Sequence, residues 1–324
     1  MTQSLNLLQT AAFLQGAEDI LILTHANPDG DTLGSGFALL RGLRSMAKRV
    51  RLFCPDEIPP KFSFMADGIK YADYEPKTII AVDLADAKLL AHAQADFPII
   101  HLCIDHHGAG KPYAENAFVD PTAAAAAELI YDLLREINAP ITPSIADCLY
   151  TGISTDTGCF RYSNTTARTL RIAAKLMEYG ARAAELNRRY FETKRKTYFS
   201  LERMALENLH VHERGRYAVT ALTRAMYDEC GASEDEAEQI AAIPRQVEGV
   251  LVGATLKEKK SGGFKVSLRS YAPVDASAIA RRLGGGGHAR AAGCTIDTPL
   301  LEDAQATLLA AVKDELGALE CKAG

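Results

Sequence analysis

At 324 residues the chain exceeds the size at which one hydrophobic core usually stops growing, so two domains are expected. A net charge of -5 excludes a protein that coats long DNA or RNA electrostatically, and no long duplex nucleic acid is expected among its partners. Seven Cys, odd in number and never spaced C-x-x-C, exclude a disulfide framework and a zinc ribbon and predict the reduced thiols of a cytoplasmic protein. No signal-peptide pattern opens the chain and no apolar run approaches the roughly 20 residues that cross a bilayer, so no membrane contact is expected.

In chain order, Ile20–Leu23 and Val50–Phe53 read as short buried strands, with the helical pattern Thr32–Met46 between them. Thr78–Val82 and Ile99–Ile104 follow as strands, separated by the helix-like Ala85–Ala91. After Asp120 the periodicity turns helical over Ala123–Ile137, Ser144–Thr151 and Thr166–Tyr179. This alternation predicts an α/β domain over residues 1–192, a mostly parallel sheet with helices on both faces. Residues 193–213 are charged and helix-prone and predict a helical linker. Tyr217–Leu222, Val250–Leu256 and Phe264–Leu268 then read as strands, and Ala276–Arg282 and Thr298–Leu316 as helices. They predict a smaller α+β domain over 214–324.

The chemistry concentrates where strands end. His25, Asp29 and Asp31 follow the first strand in a loop forced by Pro28 and Gly30. Asp83 follows Thr78–Val82, Asp105-His106-His107 follows Ile99–Ile104, and Asp156 lies in a fourth segment, Gly152–Gly158. In open α/β sheets ligands bind beyond the carboxyl ends of the strands, so these groups should meet at one rim. Any one of them has a simpler use: Asp31 would cap Thr32–Met46, and Asp105 would suit a turn. Together, so many carboxylates would repel one another unless divalent cations neutralised them, and a set of carboxylates with imidazole suits Mn²⁺ or Mg²⁺ rather than structural zinc. His92, His101, His210 and His212 lack acidic company and read as surface or packing residues. Gly34-Ser35-Gly36 lacks a phosphate-loop Lys and reads as a place where a helix packs closely.

His25-x-x-x-Asp29-x-Asp31, Asp83, Asp105-His106-His107 and Asp156, in that order, resemble the four motifs of the DHH phosphoesterase family. The stretch Gly284–Gly293, with Gly285, Gly286, Gly287 and His288, is similar to the signature of the DHH-associated C-terminal domain. The two-domain layout looks most like the nanoRNase and pAp phosphatase branch. RecJ-type exonucleases carry additional modules, and manganese-dependent pyrophosphatases lack the Gly-rich signature.

The resemblance implies two ions per active site, Mn²⁺ with Mg²⁺ or Co²⁺ as substitutes. His25, Asp29 and Asp83 would hold one, and Asp31, Asp83, His106 and Asp156 the other, with Asp83 bridging. His107 and Asp105 would be catalytic, His107 toward the scissile phosphate or leaving oxygen and Asp105 by orienting a ligating His. Arg269, Ser270, Gly285, Gly286, Gly287 and His288 would bind substrate, with Arg161 a further candidate, and the active site would lie in a cleft between the domains. Expected substrates are very short oligoribonucleotides and pAp, with linear or cyclic dinucleotides as the alternative and a silent nucleotide sensor as a third reading. A homodimer is implied by relatives. One departure is the run Ala123–Ala127, where relatives often carry a hydroxyl.

Overall fold

The computed structural model describes residues 2–108 and 112–323. They fall into two compact units that divide between Thr193 and Lys194.

The first unit is built on a six-stranded, all-parallel sheet. Its strands are β1 (Gln3–Ser4), β2 (Ile20–Leu23), β3 (Val50–Phe53), β4 (Thr78–Val82), β5 (Leu102–Asp105) and β6 (Asn116–Val119), ordered β1-β6-β5-β4-β2-β3. The central strands β2, β4 and β5 are apolar except at Thr78 and Asp105, which lie at their ends, because both faces are covered. Ile20, Ile22, Ile80, Val82, Leu102 and Ile104 face the larger core, while Leu21, Leu23, Ala81 and Cys103 face a smaller one. Helices α1 (Leu7–Gly16), α2 (Gly30–Ser45), α3 (Ala126–Glu136), α4 (Pro143–Asp156) and α5 (Ala167–Glu178) contribute to the larger core, and α6 (Ala183–Asn187) closes it.

The smaller core is covered differently. The helix expected at Ala85–Ala91 is instead 3-10 turn over Ala87–Asp96, interrupted at Ala91, whose φ is 50°. Leu84, Leu90 and Ala114 fill that face.

From β2 the chain passes to β3 on one side and then to β4 on the other. The strand order therefore reverses at β2 and β4, the switch point at which open parallel sheets leave a crevice for ligands. The carboxyl ends of β2, β4 and β5 share that rim.

The second unit begins with α7 (Lys196–Glu207), followed by β7 (His210–His212), β8 (Tyr217–Leu222), α8 (Arg224–Cys230) and α9 (Glu234–Ile240). After these come β9 (Val252–Glu258), β10 (Phe264–Ser270), α10 (Ala276–Arg282), β11 (Gly286–His288), β12 (Ala291–Ile296) and α11 (Leu301–Ala323). The mixed sheet runs β11-β12-β10-β9-β8-β7, parallel only between β8 and β9. Helices α10 and α11 cover one face through Ile279, Leu308 and Val312.

The segment expected as a linker is part of this unit's core. Tyr198, Leu201 and Ala205 on one side of α7 pack against Leu222, Tyr227, Ala237 and Ile240. Its charged residues, Arg203 and Glu207 among them, form the solvent side that gives the sequence a linker-like appearance. Among the described residues no helix is long and apolar enough to cross a membrane.

Candidate metal centre

Three loops at the switch point and the end of α4 bring the acidic and histidine groups together. Asp29 caps α2, its Oδ1 accepting from the Asp31 and Thr32 amides at 3.0 and 3.1 Å. The capping role considered for Asp31 thus falls to Asp29, and Asp31 enters the first turn of the helix with its carboxylate turned inward. It is 1% exposed. Its oxygens accept from the Ala126 amide at 2.6 Å, the Ala127 amide at 3.0 Å and Ser35 Oγ at 3.1 Å. The alanine run therefore acts through backbone amides at the start of α3, where the helix dipole also favours an anion.

Close approach of α2 and α4 makes this possible. A Cβ at Gly34 would lie 2.4 Å from the Cys148 carbonyl, and one at Gly152 would meet Asp31 Oδ1 at 2.7 Å and the Ala127 Cβ at 2.8 Å. The close packing read from Gly34 is present, and Gly152 adds to it from the facing helix.

Asp83 continues the ladder by donating its N–H to Ile104 at 2.9 Å, then turns with φ at 54°. That conformation costs a residue with a Cβ about 1 kcal/mol. It aims the carboxylate across the rim. Asp83 Oδ2 lies 3.8 Å from His25 Nε2, and Oδ1 lies 3.6 Å from His106 Nε2. His25 Nδ1 is engaged by the Ala26 carbonyl at 2.8 Å and His106 Nδ1 by the Ala123 carbonyl at 3.3 Å, so both rings present Nε2 to the acids.

Three overlapping donor groups follow from these positions: His25, Asp29 and Asp83; Asp31, His106 and Asp156; and Asp83, Asp105, His106 and His107. The ligand atoms of each lie within 4.8 Å of one another. His106 Nε2 is 3.8 Å from Asp31 Oδ2 and 3.6 Å from Asp156 Oδ2. Asp83 faces the first two of these groups.

The acids pay electrostatically for this proximity. Burial, followed by the charges of Asp31, Asp29, Asp105 and Asp156, pushes the Asp83 carboxyl well above its ordinary range. Burial and then Asp31 and Asp29 push Asp156 up to about 8. Asp31 is also raised by burial, against the opposing charge of His106. Burial works to lower the His25 imidazole, but its hydrogen bond to Asp29 and that residue's charge raise it overall. Asp83 Oδ1 is buried and has no hydrogen-bond partner among the described residues. An orphaned anionic oxygen facing imidazoles and carboxylates fits a divalent cation, which would satisfy the oxygen and remove the repulsion.

Asp105, in the third of these groups, also fixes its neighbours. Its Oδ1 accepts from the His106 amide at 2.7 Å, the His107 amide at 3.2 Å and His107 Nδ1 at 2.7 Å. It therefore orients His107, which shares the third donor group with Asp83 and His106. That bond, the largest influence on the ring, raises the imidazole of His107 against partial burial.

Of the residues expected to bind substrate, Arg161 lies in the first unit, with Nε donating to the Gly158 carbonyl at 2.6 Å and the guanidinium 5.9 Å from the Phe191 ring centre. The others lie in the second. Arg269 of β10 pairs with Ala291, which pairs with His288 of β11. Directly paired residues share a face, so Arg269 and His288 project to the same side, roughly 10 Å apart across two strand spacings. Ser270 projects the other way, 1% exposed, its hydroxyl donating to the Val274 and Ala289 carbonyls at 2.9 Å. The Ser270 hydroxyl, expected to contact substrate, instead fastens the end of β10 to the segment before α10 and the turn between β11 and β12.

The glycine run is an outer strand rather than a loose loop. A Cβ at Gly285 would lie 2.2 Å from the Gly293 carbonyl, and Gly287 has φ 138° with its would-be Cβ 2.6 Å from Ala292 Cα. Gly286 meets nothing within 4 Å.

Some site residues were not visible in the sequence. Ser35 could have been found, four residues after Asp31 on a predicted helix. The Ala123 carbonyl and the Ala126 and Ala127 amides carry no side-chain signal.

Residues 19–153 match the DHH family, N-terminal domain, and residues 215–318 match the DHHA1 domain. The chain belongs to the DHH phosphoesterase family and is a hydrolase of that family. Within it, the chain is 37% identical to the bifunctional oligoribonuclease and PAP phosphatase NrnA of Thermus thermophilus over 303 residues, 92% of this chain and 90% of that protein. It is 24% identical to the cyclic-di-AMP phosphodiesterase GdpP of Geobacillus thermodenitrificans over 92% of its own length and 48% of that protein's. The fold matches an exopolyphosphatase-related protein from Bacteroides fragilis with a TM-score of 0.89 at 23% identity, covering 97% of each chain.

Proposed function

We propose that the chain hydrolyses very short oligoribonucleotides to mononucleotides and converts pAp to AMP with two Mn²⁺ ions. The observation that carries the proposal is Asp83, which turns one oxygen toward His25 and the other, without a hydrogen-bond partner among the described residues, toward His106 and His107. His25, Asp29 and Asp83 would hold one ion, and Asp31, Asp83, His106 and Asp156 the other. When bound, such ions supply a nucleophile at neutral pH and neutralise charge on the phosphoryl oxygens.

The chain's own residues do the rest. Asp105 holds Nδ1 of His107, leaving Nε2 to bind the scissile phosphate and protonate the leaving oxygen. The raised imidazole favours the protonated form that this role needs. Arg161 would hold a phosphoryl oxygen in the first unit. Arg269 and His288, on one face of the second sheet, would hold a second phosphate, with backbone N–H groups of Gly285, Gly286 and Gly287 nearby. Ser270 has no direct part.

A second reading, hydrolysis of linear or cyclic dinucleotides, is favoured by the similarity to GdpP along most of this chain. One panel separates them: pAp, a dinucleotide, a pentanucleotide, a cyclic dinucleotide and pyrophosphate, each with Mn²⁺. Release of mononucleotides from the linear RNAs and of AMP from pAp is expected. Turnover of the cyclic dinucleotide alone would transfer the assignment to the second reading, and turnover of pyrophosphate alone would refute both.

A further inference from the structure

The segment from Asp120 to Glu128 supplies no candidate ligand, yet it holds two of them. Its Ala123 carbonyl faces His106 Nδ1 at 3.3 Å, and its Ala126 and Ala127 amides hold Asp31. Because these contacts are all made by backbone atoms, their geometry depends on whatever fixes the segment in place. Its own alanine side chains offer no polar fastening.

The fastening comes from residues 164–168. Asn164 Nδ2 donates to the Ala124 carbonyl at 3.0 Å and to the Asp156 carbonyl at 3.2 Å. A single amide group thus joins the alanine segment to the residue that ends α4 and bears a candidate ligand. Four residues later, Arg168 reaches the two ends of the same segment. Its Nη1 lies 3.1 Å from Glu128 Oε2 and 3.6 Å from Asp120 Oδ2, while Nη2 lies 2.5 Å from Asp132 Oδ2. Glu128 is fully buried, and burial raises its carboxyl against the opposing influence of Thr169 and then Arg168.

The residue types suit the task. Two carbonyls must be met by one short side chain with two protons, which Asn supplies and Asp does not. Asn164 Oδ1 is buried without a hydrogen-bond partner among the described residues, so the side chain is placed for its donors at a cost in desolvation. Arg168 meets three carboxylates that diverge from it, a task for a planar fork and not for a single ammonium point charge. None of these contacts involves His25, Asp29 or Asp83.

We infer that Asn164 and Arg168 are positioning residues that set the Asp31–His106–Asp156 donor group and leave the His25–Asp29–Asp83 group untouched. This rests on the metal reading of the centre. Outer partners of metal ligands typically change affinity by about 10- to 100-fold, which sets the expected size.

The two positions are separated by working in two backgrounds of the full chain. In His25→Ala, calorimetric titration with MnCl₂ reports the Asp31–His106–Asp156 position; in Asp156→Ala it reports the other. Adding Asn164→Ala or Arg168→Met to the first background should weaken Mn²⁺ by about 10- to 100-fold, and adding either to the second should leave affinity unchanged. Arg168→Lys should recover part of the loss. Thermal melting of each metal-free protein confirms that it is folded, and Asn164→Ser serves as the milder variant if Asn164→Ala does not fold. Unchanged affinity in the first background overturns the inference, and so does equal weakening in both, the mark of general loosening. Failure of the wild-type chain to bind Mn²⁺ at all would instead remove the metal reading beneath it.

Discussion

The rim of the first sheet and the outer edge of the second place chemically important residues by opposite means. At the rim, side chains from β2, β4, β5 and α4 converge, and each is fixed by contacts to a distant part of the chain: Asp31 by the start of α3, Asp83 by β5, His106 by the segment before α3. At the second edge, Arg269 and His288 share a face through strand register, with Ala291 between them. The rim buries Asp31, Asp83 and Asp105, with mutually repelling acids and a backbone turn at φ 54°. The edge strand is exposed along its three residues. Strain and repulsion persist only where the surroundings over-determine the geometry, so the rim should be intolerant of change and the edge should tune affinity.

The largest expected effect follows from removing the residue shared by both proposed ion positions. Asp83→Ala should lower kcat by roughly 10³-fold or more and abolish tight Mn²⁺ binding, since no other side chain faces both His25 and His106 as it does. Full activity with unaltered Mn²⁺ titration would show that the rim is an acidic cluster with another purpose. The same substitution should raise the melting temperature of the metal-free chain, because it relieves repulsion among the acids.

Next in size is the Asp105–His107 pair, which sharpens the division within the rim itself. His107→Ala should cost about 10²-fold in kcat while leaving Mn²⁺ affinity near that of the wild type. Asp105→Asn should fall between, because it removes the acceptor for Nδ1 but not the ring. Loss of Mn²⁺ binding in His107→Ala would make that ring a metal ligand.

The electrostatics of the rim set a pH dependence of their own. Asp83 and Asp156 are raised in the fold, Asp156 to about 8, so the metal-free fold binds protons that the unfolded chain has released. Stability from these groups is full below the unfolded carboxylate range near 4 and is lost as pH rises toward 8. His25 and His107, also raised, lose their pairing in the same direction. The melting temperature gained on adding Mn²⁺ should therefore be greater at pH 8 than at pH 5.5, where protons compete for the same oxygens. An equal gain at both values would contradict the geometry of the centre.

Legibility in the sequence divides along the same line. Ile20–Leu23, Val50–Phe53, Thr78–Val82 and Tyr217–Leu222 are strands with the bounds their patterns predict, because each is a short, mostly apolar, branched run bounded by polar or turn residues. The strands Asn116–Val119, Gly286–His288 and Ala291–Ile296 carry Asn, Gly, His and Ala instead, and no local pattern marks them. The candidate ligands His25, Asp29, Asp31, Asp83 and His106 were legible because they follow strands of one sheet, and Asp156, at the end of α4, because it follows in the family's order. The atoms that hold them were not. A carbonyl at Ala123, amides at Ala126 and Ala127, and a spanning amide at Asn164 leave no trace in residue type, since any residue supplies the first three and only folding brings the fourth to them.

The edge gives the smaller effects, and the two glycine positions there separate register from chemistry. Arg269→Ala should raise KM about 10-fold with kcat and Mn²⁺ affinity little changed, as expected for a residue that binds a remote phosphate. Gly286→Ala should be milder still, within about 0.5 kcal/mol of wild-type stability, because its Cβ would enter open space. Gly285→Ala differs, since its Cβ would lie 2.2 Å from the Gly293 carbonyl and must displace β11 from β12. Moving β11 moves His288 off the row it shares with Ala291 and Arg269, so Gly285→Ala should raise KM where Gly286→Ala does not. Equal KM values for the two variants, both folded by circular dichroism, would separate His288 from substrate binding and leave the glycine run a purely structural device.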